Sequence, residues 1–237
     1  MSVRGQRLLL GGGRVTLADH ERPDPGPNQL LVRVTRSQVS AGSEINAFRT
    51  GSAHEPTPRP TGYTTAGRIE KVGPGVEGFR PGDRVLAYGN HATYCLVDTS
   101  DPDEWRSYPQ HIPDGLTDEQ ACFAVLGDVA LHGVRRANLQ IDESVAVFGA
   151  GVVGQLTLQL ARLSGAHPVV VTDLVESRLA LARRNGATHT VDGRGADAPA
   201  AIREITGGKG AETVFDCTPI AQVLQPCMAA AASGARS

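Results

Sequence analysis

Two rhythms of apolar and polar positions divide the chain near residue 140. Before that point, short apolar stretches alternate with glycine and proline. The runs Leu30–Val34, Thr65–Val72, Asp83–Tyr88 and Ala92–Val97 read as strands with turn residues between them. Short, evenly punctuated strands predict a small, mostly β unit of barrel type. Residues 98–115 are polar and contain proline, which predicts a surface connection. Thr117, followed by Glu119 and Gln120 ahead of an Ala/Leu/Val-rich run, predicts a helix over 117–137.

After residue 140 strands and helices alternate. Ser144–Phe148 is an apolar run of the kind found in a buried parallel strand, and Val153, Leu156, Leu160 and Leu163 recur at helical spacing. Further strands are expected at 168–172, 188–191 and 213–216, with helices at 177–185 and 198–206. Such alternation implies a parallel sheet with crossover helices. The alanine-rich stretch 221–232 reads as one more helix. On this count the sheet has four strands and Thr213–Asp216 forms an exposed edge.

Bulk properties narrow the partners. Apolar residues make up 40% of the 237, enough for real cores, and a formal net charge of −2 without a basic run argues against nucleic acid or an anionic membrane as partner. Cys95, Cys122, Cys217 and Cys227 form no C-x-x-C pair and no compact disulfide framework, so they read as thiols in a reducing compartment. With no leader-like start and no run of about 18 apolar residues, a cytoplasmic protein without a membrane span is expected.

The motif with the most chemistry is Gly149-Ala150-Gly151-Val152-Val153-Gly154, placed between the expected first strand and helix of the second half. Gly149 permits the tight turn, Gly151 lets backbone approach a pyrophosphate, and Gly154 lets helix and strand pack closely. The N–H groups of Val152 and Val153, at the helix start, would face the phosphates. Asp173 follows at the end of the next strand, where an acid bonds both ribose hydroxyls of NAD and opposes a 2′-phosphate. NAD is therefore favoured over NADP. Arg178 either reaches toward the adenosine end or is an exposed helix residue.

Several stretches together resemble the medium-chain dehydrogenase/reductase family: Gly62–Gly67, Val72–Val76, Phe79–Val85, Ile112–Leu116, the glycine motif and Arg183–Ala187. The resemblance implies an α/β chain: a GroES-like β-barrel domain over 1–116, then a truncated, doubly wound parallel Rossmann domain over 117–237, with the active site in the cleft between them. Zinc-dependent members carry a ligating cysteine and histidine where this chain has Ala41-Gly42-Ser43-Glu44 and Gly62-Tyr63-Thr64, and of residues 126–128 only Asp128 could bind a metal. The four-cysteine structural zinc lobe is also missing. No zinc is expected, and these stretches resemble a zinc-free branch that includes bacteriochlorophyllide, sugar and inositol oxidoreductase-like proteins.

Without zinc, another group must handle the proton of the substrate oxygen. Ser43 falls where the family places its hydroxyl relay. Tyr63 either donates to the substrate oxygen or fills the space of the metal. Glu44 either serves the chemistry or caps its turn, and His91 is either catalytic or packed. The implied function is zinc-independent hydride transfer between NAD and a secondary alcohol or carbonyl, polyol- or sugar-like or a natural-product intermediate, in a homodimer. The alternative is a non-catalytic nucleotide-binding or interaction protein derived from a truncated dehydrogenase.

Overall fold

A computed structural model describes residues 2–50, 57–102 and 108–236. It divides into two compact units, Met1–Ala124 and Val125–Ser237. Residues 117–124, which the sequence pattern groups with the second half, thus lie in the first unit.

The first unit opens with a feature the apolar pattern did not single out: a hairpin of β1 (Ser2–Gly11) and β2 (Arg14–Pro23), paired without interruption from Ser2↔Pro23 to Gly11↔Arg14. Gly12 and Gly13 form its two-residue turn with φ of 56° and 69°. A positive φ at both central positions is the turn whose twist suits paired strands. The remaining strands of this unit are β3 (Gln29–Ser37), β4 (Arg59–Pro60), β5 (Thr65–Val72), β6 (Arg84–Ala87), β7 (Tyr94–Asp98) and β8 (Gln110–His111).

One sheet has the order β2-β1-β4 and the other β7-β3-β5-β6-β8. Hydrogen bonds from Leu8 N–H to the His91 carbonyl and from Thr93 N–H to the Gln6 carbonyl tie the hairpin to the approach to β7. Leu30, Val32, Ile69, Val85, Cys95 and Val97 form the core of the larger sheet. Helix α1 (Asn46–Thr50) follows a π-helical turn at Ala41–Ile45.

The helix expected over 117–137 is two helices, α2 (Asp118–Ala121) and α3 (Ala124–Ala137). Thr117 caps α2 reciprocally with Gln120, as the S/T-x-x-Q spacing directs. Asp118 then anchors α2 to the first unit: Thr35 Oγ1 and the Arg84 guanidinium both donate to its carboxylate. Buried Ala121 and Cys122 pack with Ala66 and Ile112, so tertiary packing turns the chain between the two helices.

The second unit alternates as expected: β9 (Val145–Phe148), α4 (Val152–Leu163), β10 (Val169–Asp173), α5 (Glu176–Arg184), β11 (His189–Asp192), α6 (Ala198–Ile205) and β12 (Ala211–Asp216). Its end corrects the sequence reading. Helix α7 covers only Leu224–Ala230, and Ala231–Arg236 forms a strand, β13, parallel to β12. The sheet order is β11-β10-β9-β12-β13, so there are five strands and β12 is not an edge.

Alanine favours helix over strand, so propensity alone carried the expected helix through residue 232. The open flank of β12 offers backbone partners that override it. A Cβ on Gly210 would lie 2.7 Å from the Ala230 carbonyl oxygen, so glycine there permits the close approach of the segment leading into β13. Both faces of the sheet are covered: Val145 and Val147 of β9 pack into one core with Leu158 and Val171, Ala146 and Phe148 into another with Ile202 and Val214. That period of two across a sheet buried on both sides explains the unbroken apolar run.

Candidate functional site

The glycine loop between β9 and α4 is shaped by exclusion. Gly149 has φ +90°, and a Cβ there would meet Thr218 Cγ2 at 2.8 Å. A Cβ on Gly154 would sit 1.8 Å from the Gly149 carbonyl oxygen, so only glycine lets α4 pack this close to the turn. At Gly151 the same test meets nothing within 4 Å, which leaves the backbone ahead of α4 approachable. Gly151 is the N-cap of α4 and supplies no side-chain cap, and the first turn, with Val152 and Val153, carries no acid. Uncapped N–H groups at a helix start attract anions.

Asp173 closes β10 beside this loop. Its Oδ2 accepts from the Ala150 N–H at 2.7 Å and its Oδ1 from the Val175 N–H at 2.8 Å, while Arg178 Nη1 stands 3.7 Å from Oδ2. The carboxylate is 7% exposed and Arg178 54% exposed, so the acid is fixed and the arginine is free to swing. Gln155, which the sequence reading passed over, completes the frame. Its Nε2 donates to the Ala150 carbonyl at 3.3 Å and the Arg178 carbonyl at 2.9 Å, and its Oε1 accepts from Asn185 Nδ2 at 2.9 Å. Asp173 and Gln155 thus hold Ala150 of the loop from both sides. A buried glutamine following the third motif glycine was the available signal.

In the first unit the structure brings together two of the four candidate catalytic residues. His91 is buried. Its Nε2 lies 2.9 Å from Glu44 Oε2 and its Nδ1 2.8 Å from Ser37 Oγ. Glu44 also accepts from Thr61 Oγ1 at 2.7 Å and, through Oε1, from the Ser40 N–H at 2.7 Å. Hence Glu44 caps its own turn, as one reading of this residue had it, and also anchors the imidazole.

Backbone bonds hold the segments around the cluster in register, from His91 N–H to the Thr61 carbonyl and from Gly89 N–H to the Tyr63 carbonyl. Gly62, with φ +92°, leaves space that His91 fills, since a Cβ there would lie 2.8 Å from the ring. Ser37 is exposed, so a line of hydrogen bonds runs from the surface through the imidazole to a largely buried carboxylate.

Ser43 lies in the π-helical turn, exposed, with no hydrogen bond to its hydroxyl among the described residues. The Tyr63 ring stacks on Tyr88, with centroids 6.0 Å apart. Asp128 and His132 are exposed on α3. Among the described residues no three His, Cys, Asp or Glu side chains come together as a metal-binding group. Ser37 and Thr61 carried no sequence signal, because their role exists only through contacts with residues 44 and 91.

Known proteins share this architecture. Residues 26–123 match the alcohol dehydrogenase GroES-like domain and residues 152–237 the zinc-binding dehydrogenase domain. An alcohol dehydrogenase of Cupriavidus necator is 30% identical over 252 residues, covering 86% of this chain and 67% of that protein. Sorbitol dehydrogenase of Homo sapiens is 29% identical over 256 residues, covering 96% and 71%. A Sinorhizobium meliloti protein assigned to the zinc-binding dehydrogenases and solved bound to NADP superposes with a TM-score of 0.85 at 25% identity, over 98% of this chain and 75% of that one.

A GroES-like unit followed by a parallel-sheet Rossmann-like unit is the architecture of nicotinamide-linked oxidoreductases. The chain belongs to the medium-chain dehydrogenase/reductase family, in its alcohol dehydrogenase-like division.

Proposed function

We propose that this protein is a zinc-independent oxidoreductase that transfers hydride between NAD and a secondary alcohol or carbonyl, polyol- or sugar-like. The glycine loop clamped by Asp173 is the observation that carries the reading. A nicotinamide, when bound, supplies the hydride acceptor or donor. The residues to hold its dinucleotide are Gly149, Gly151, the N–H groups of Val152 and Val153, Gly154 and Asp173. A fixed carboxylate at the end of β10 bonds ribose hydroxyls and repels a 2′-phosphate, which favours NAD; Arg178 works in the opposite direction.

Zinc independence rests on the donor set. Ala41 and Tyr63 offer no imidazole or thiolate, and Glu44 and His91, the ligand-capable groups beside them, are engaged with each other and with Ser37 and Thr61. Proton handling falls to the Ser43 hydroxyl and the Tyr63 phenol, which contact the substrate oxygen. Glu44 and His91 form the hydrogen-bonded line through which the proton moves on toward Ser37. The alternative of a non-catalytic nucleotide-binding or interaction protein drew on a four-stranded sheet, and β13 adds a fifth strand to that count.

Nicotinamide fluorescence titration, followed by an absorbance assay over a panel of polyols and ketones, tests the reading. Ser43→Ala is expected to lower kcat by about 10²–10⁴. Absence of dinucleotide binding, or a stoichiometric zinc that survives chelation, would overturn it. The same reading includes a cytoplasmic homodimer, which sedimentation and fractionation check. Among the described residues no helix is long and apolar enough to cross a membrane.

A further inference from the structure

The β1–β2 hairpin carries three cation-capable side chains on one face. Its register sets Arg7 opposite Ala18, Gly5 opposite His20 and Val3 opposite Arg22. Alternation along the strands therefore points Arg7, His20 and Arg22 to the same side, with each arginine about 7 Å from His20, one along the strand and one diagonally across it. The 92–95 segment lies over this face: a Cβ on Gly5 would come 2.7 Å from Thr93 Cβ. Glycine at position 5 also leaves His20 without a side chain directly across from it.

The His20 ring and the Nε groups of both arginines have no acceptor among the described residues. His20 is 8% exposed, and neither of its ring nitrogens has a hydrogen-bond partner; Nε of Arg7 and Nε of Arg22 are likewise buried and unpartnered. Neither arginine forms an ion pair among the described residues. The acids of the hairpin, Asp19 and Glu21, bond Gln6 and Arg4 instead, and Asp24 is paired with Lys71. Burial, with Arg22 and Arg7 adding to it, holds His20 below the ordinary imidazole value, and its ring stands beside the two arginines.

Both arginines are half-buried, so their guanidinium ends are reachable, while their Nε groups and the His20 ring leave buried N–H groups without acceptors side by side, an arrangement that an anion would satisfy. We propose that Arg7, His20 and Arg22 form an anion site that takes a phosphate group. Two guanidinium forks match an oxyanion that presents several oxygens and two negative charges, which a monoanionic carboxylate does not. The hairpin lies ahead of the segment matching the family's GroES-like domain, residues 26–123, so this site does not rest on the dehydrogenase reading.

Calorimetric titration of the full chain with inorganic phosphate, against chloride at matched ionic strength, tests the proposal. Specific phosphate binding is expected, weakened at least about tenfold in Arg7→Met and in Arg22→Met. Methionine keeps the apolar stem and removes an unpartnered charge, so both variants are expected to fold, and Arg22→Lys should retain part of the affinity. Phosphate held at the start of α4 would be indifferent to Arg22→Met. An unchanged signal in that variant, or no phosphate-specific signal in the unmodified chain, overturns the site. A phosphorylated polyol arm separates sources: tighter binding than free phosphate identifies a phosphomonoester ligand, equal binding identifies the free ion, and either outcome supports the site.

Discussion

The glycine loop and the His91 cluster are both fixed by hydrogen bonds, yet they are built from opposite materials. The loop uses backbone: Ala150 offers its N–H to Asp173 and its carbonyl to Gln155, and the glycines act through the side chains they lack. The cluster uses side chains drawn from residues 37, 44, 61 and 91, with its bonds made through hydroxyls, a carboxylate and an imidazole. A backbone site tolerates varied side chains and forbids a Cβ at particular points. A side-chain site tolerates backbone variation and fails when one functional group goes. The two regions therefore break under different substitutions.

The largest effect on binding is expected within the loop itself. Gly154→Ala places a Cβ 1.8 Å from the Gly149 oxygen. It should cost about 1–3 kcal/mol of stability by overpacking. The shifted turn should also abolish measurable dinucleotide binding. Gly151→Ala, with nothing within 4 Å, should leave stability within about 0.5 kcal/mol and weaken only the binding. Equal losses of stability in the two variants would mean that close packing does not distinguish the motif's glycines.

His91→Ala should destabilise the first unit by about 2–4 kcal/mol, since it opens a cavity and strips Glu44 and Ser37 of a partner. His91→Asn, which can keep one of the bonds, should recover part of that loss. Chemical denaturation reads both. If His91→Ala costs nothing, the cluster is not what joins residues 37, 44 and 61.

Asp118 gives a smaller, pH-dependent effect in the same unit. Burial works to raise its pKa, but hydrogen bonds from Thr35 and Arg84 outweigh it and hold the carboxyl below its usual range. A folded value below the unfolded one adds stability above about pH 4, and that stability is lost as pH falls through the folded value. Asp118→Asn should remove about 1 kcal/mol at neutral pH and flatten the acid limb of the stability profile.

The smallest effect concerns the thiols of the second unit. Burial pushes Cys217 up to about 11 and Cys227 up to about 12. Both should resist alkylation at pH 8 in the native protein and react on unfolding. Rapid labelling of Cys217 in the native state would show that the core beneath the loop opens.

Sequence by itself determined most of the second unit: the alternation of strands and helices, the glycine loop, and Asp173 at the end of β10. Each of these is local, a periodicity or a fixed spacing that acts within one strand–helix crossover. Capping of α2 by Thr117 was legible for the same reason. The β1–β2 hairpin also had a local signal, Gly12-Gly13, although its flanking residues lack a clean apolar alternation. Tertiary structure decided the rest. β13 forms from alanine-rich residues because β12 offers an open hydrogen-bonding flank, a long-range gain that outweighs helix propensity. Ser37 meets His91 across 54 residues and Glu44 meets it across 47. Only the pairing of β3 with β5 and β7 and the bonds between segments 61–63 and 89–91 set those distances, so no spacing in the chain could have announced them.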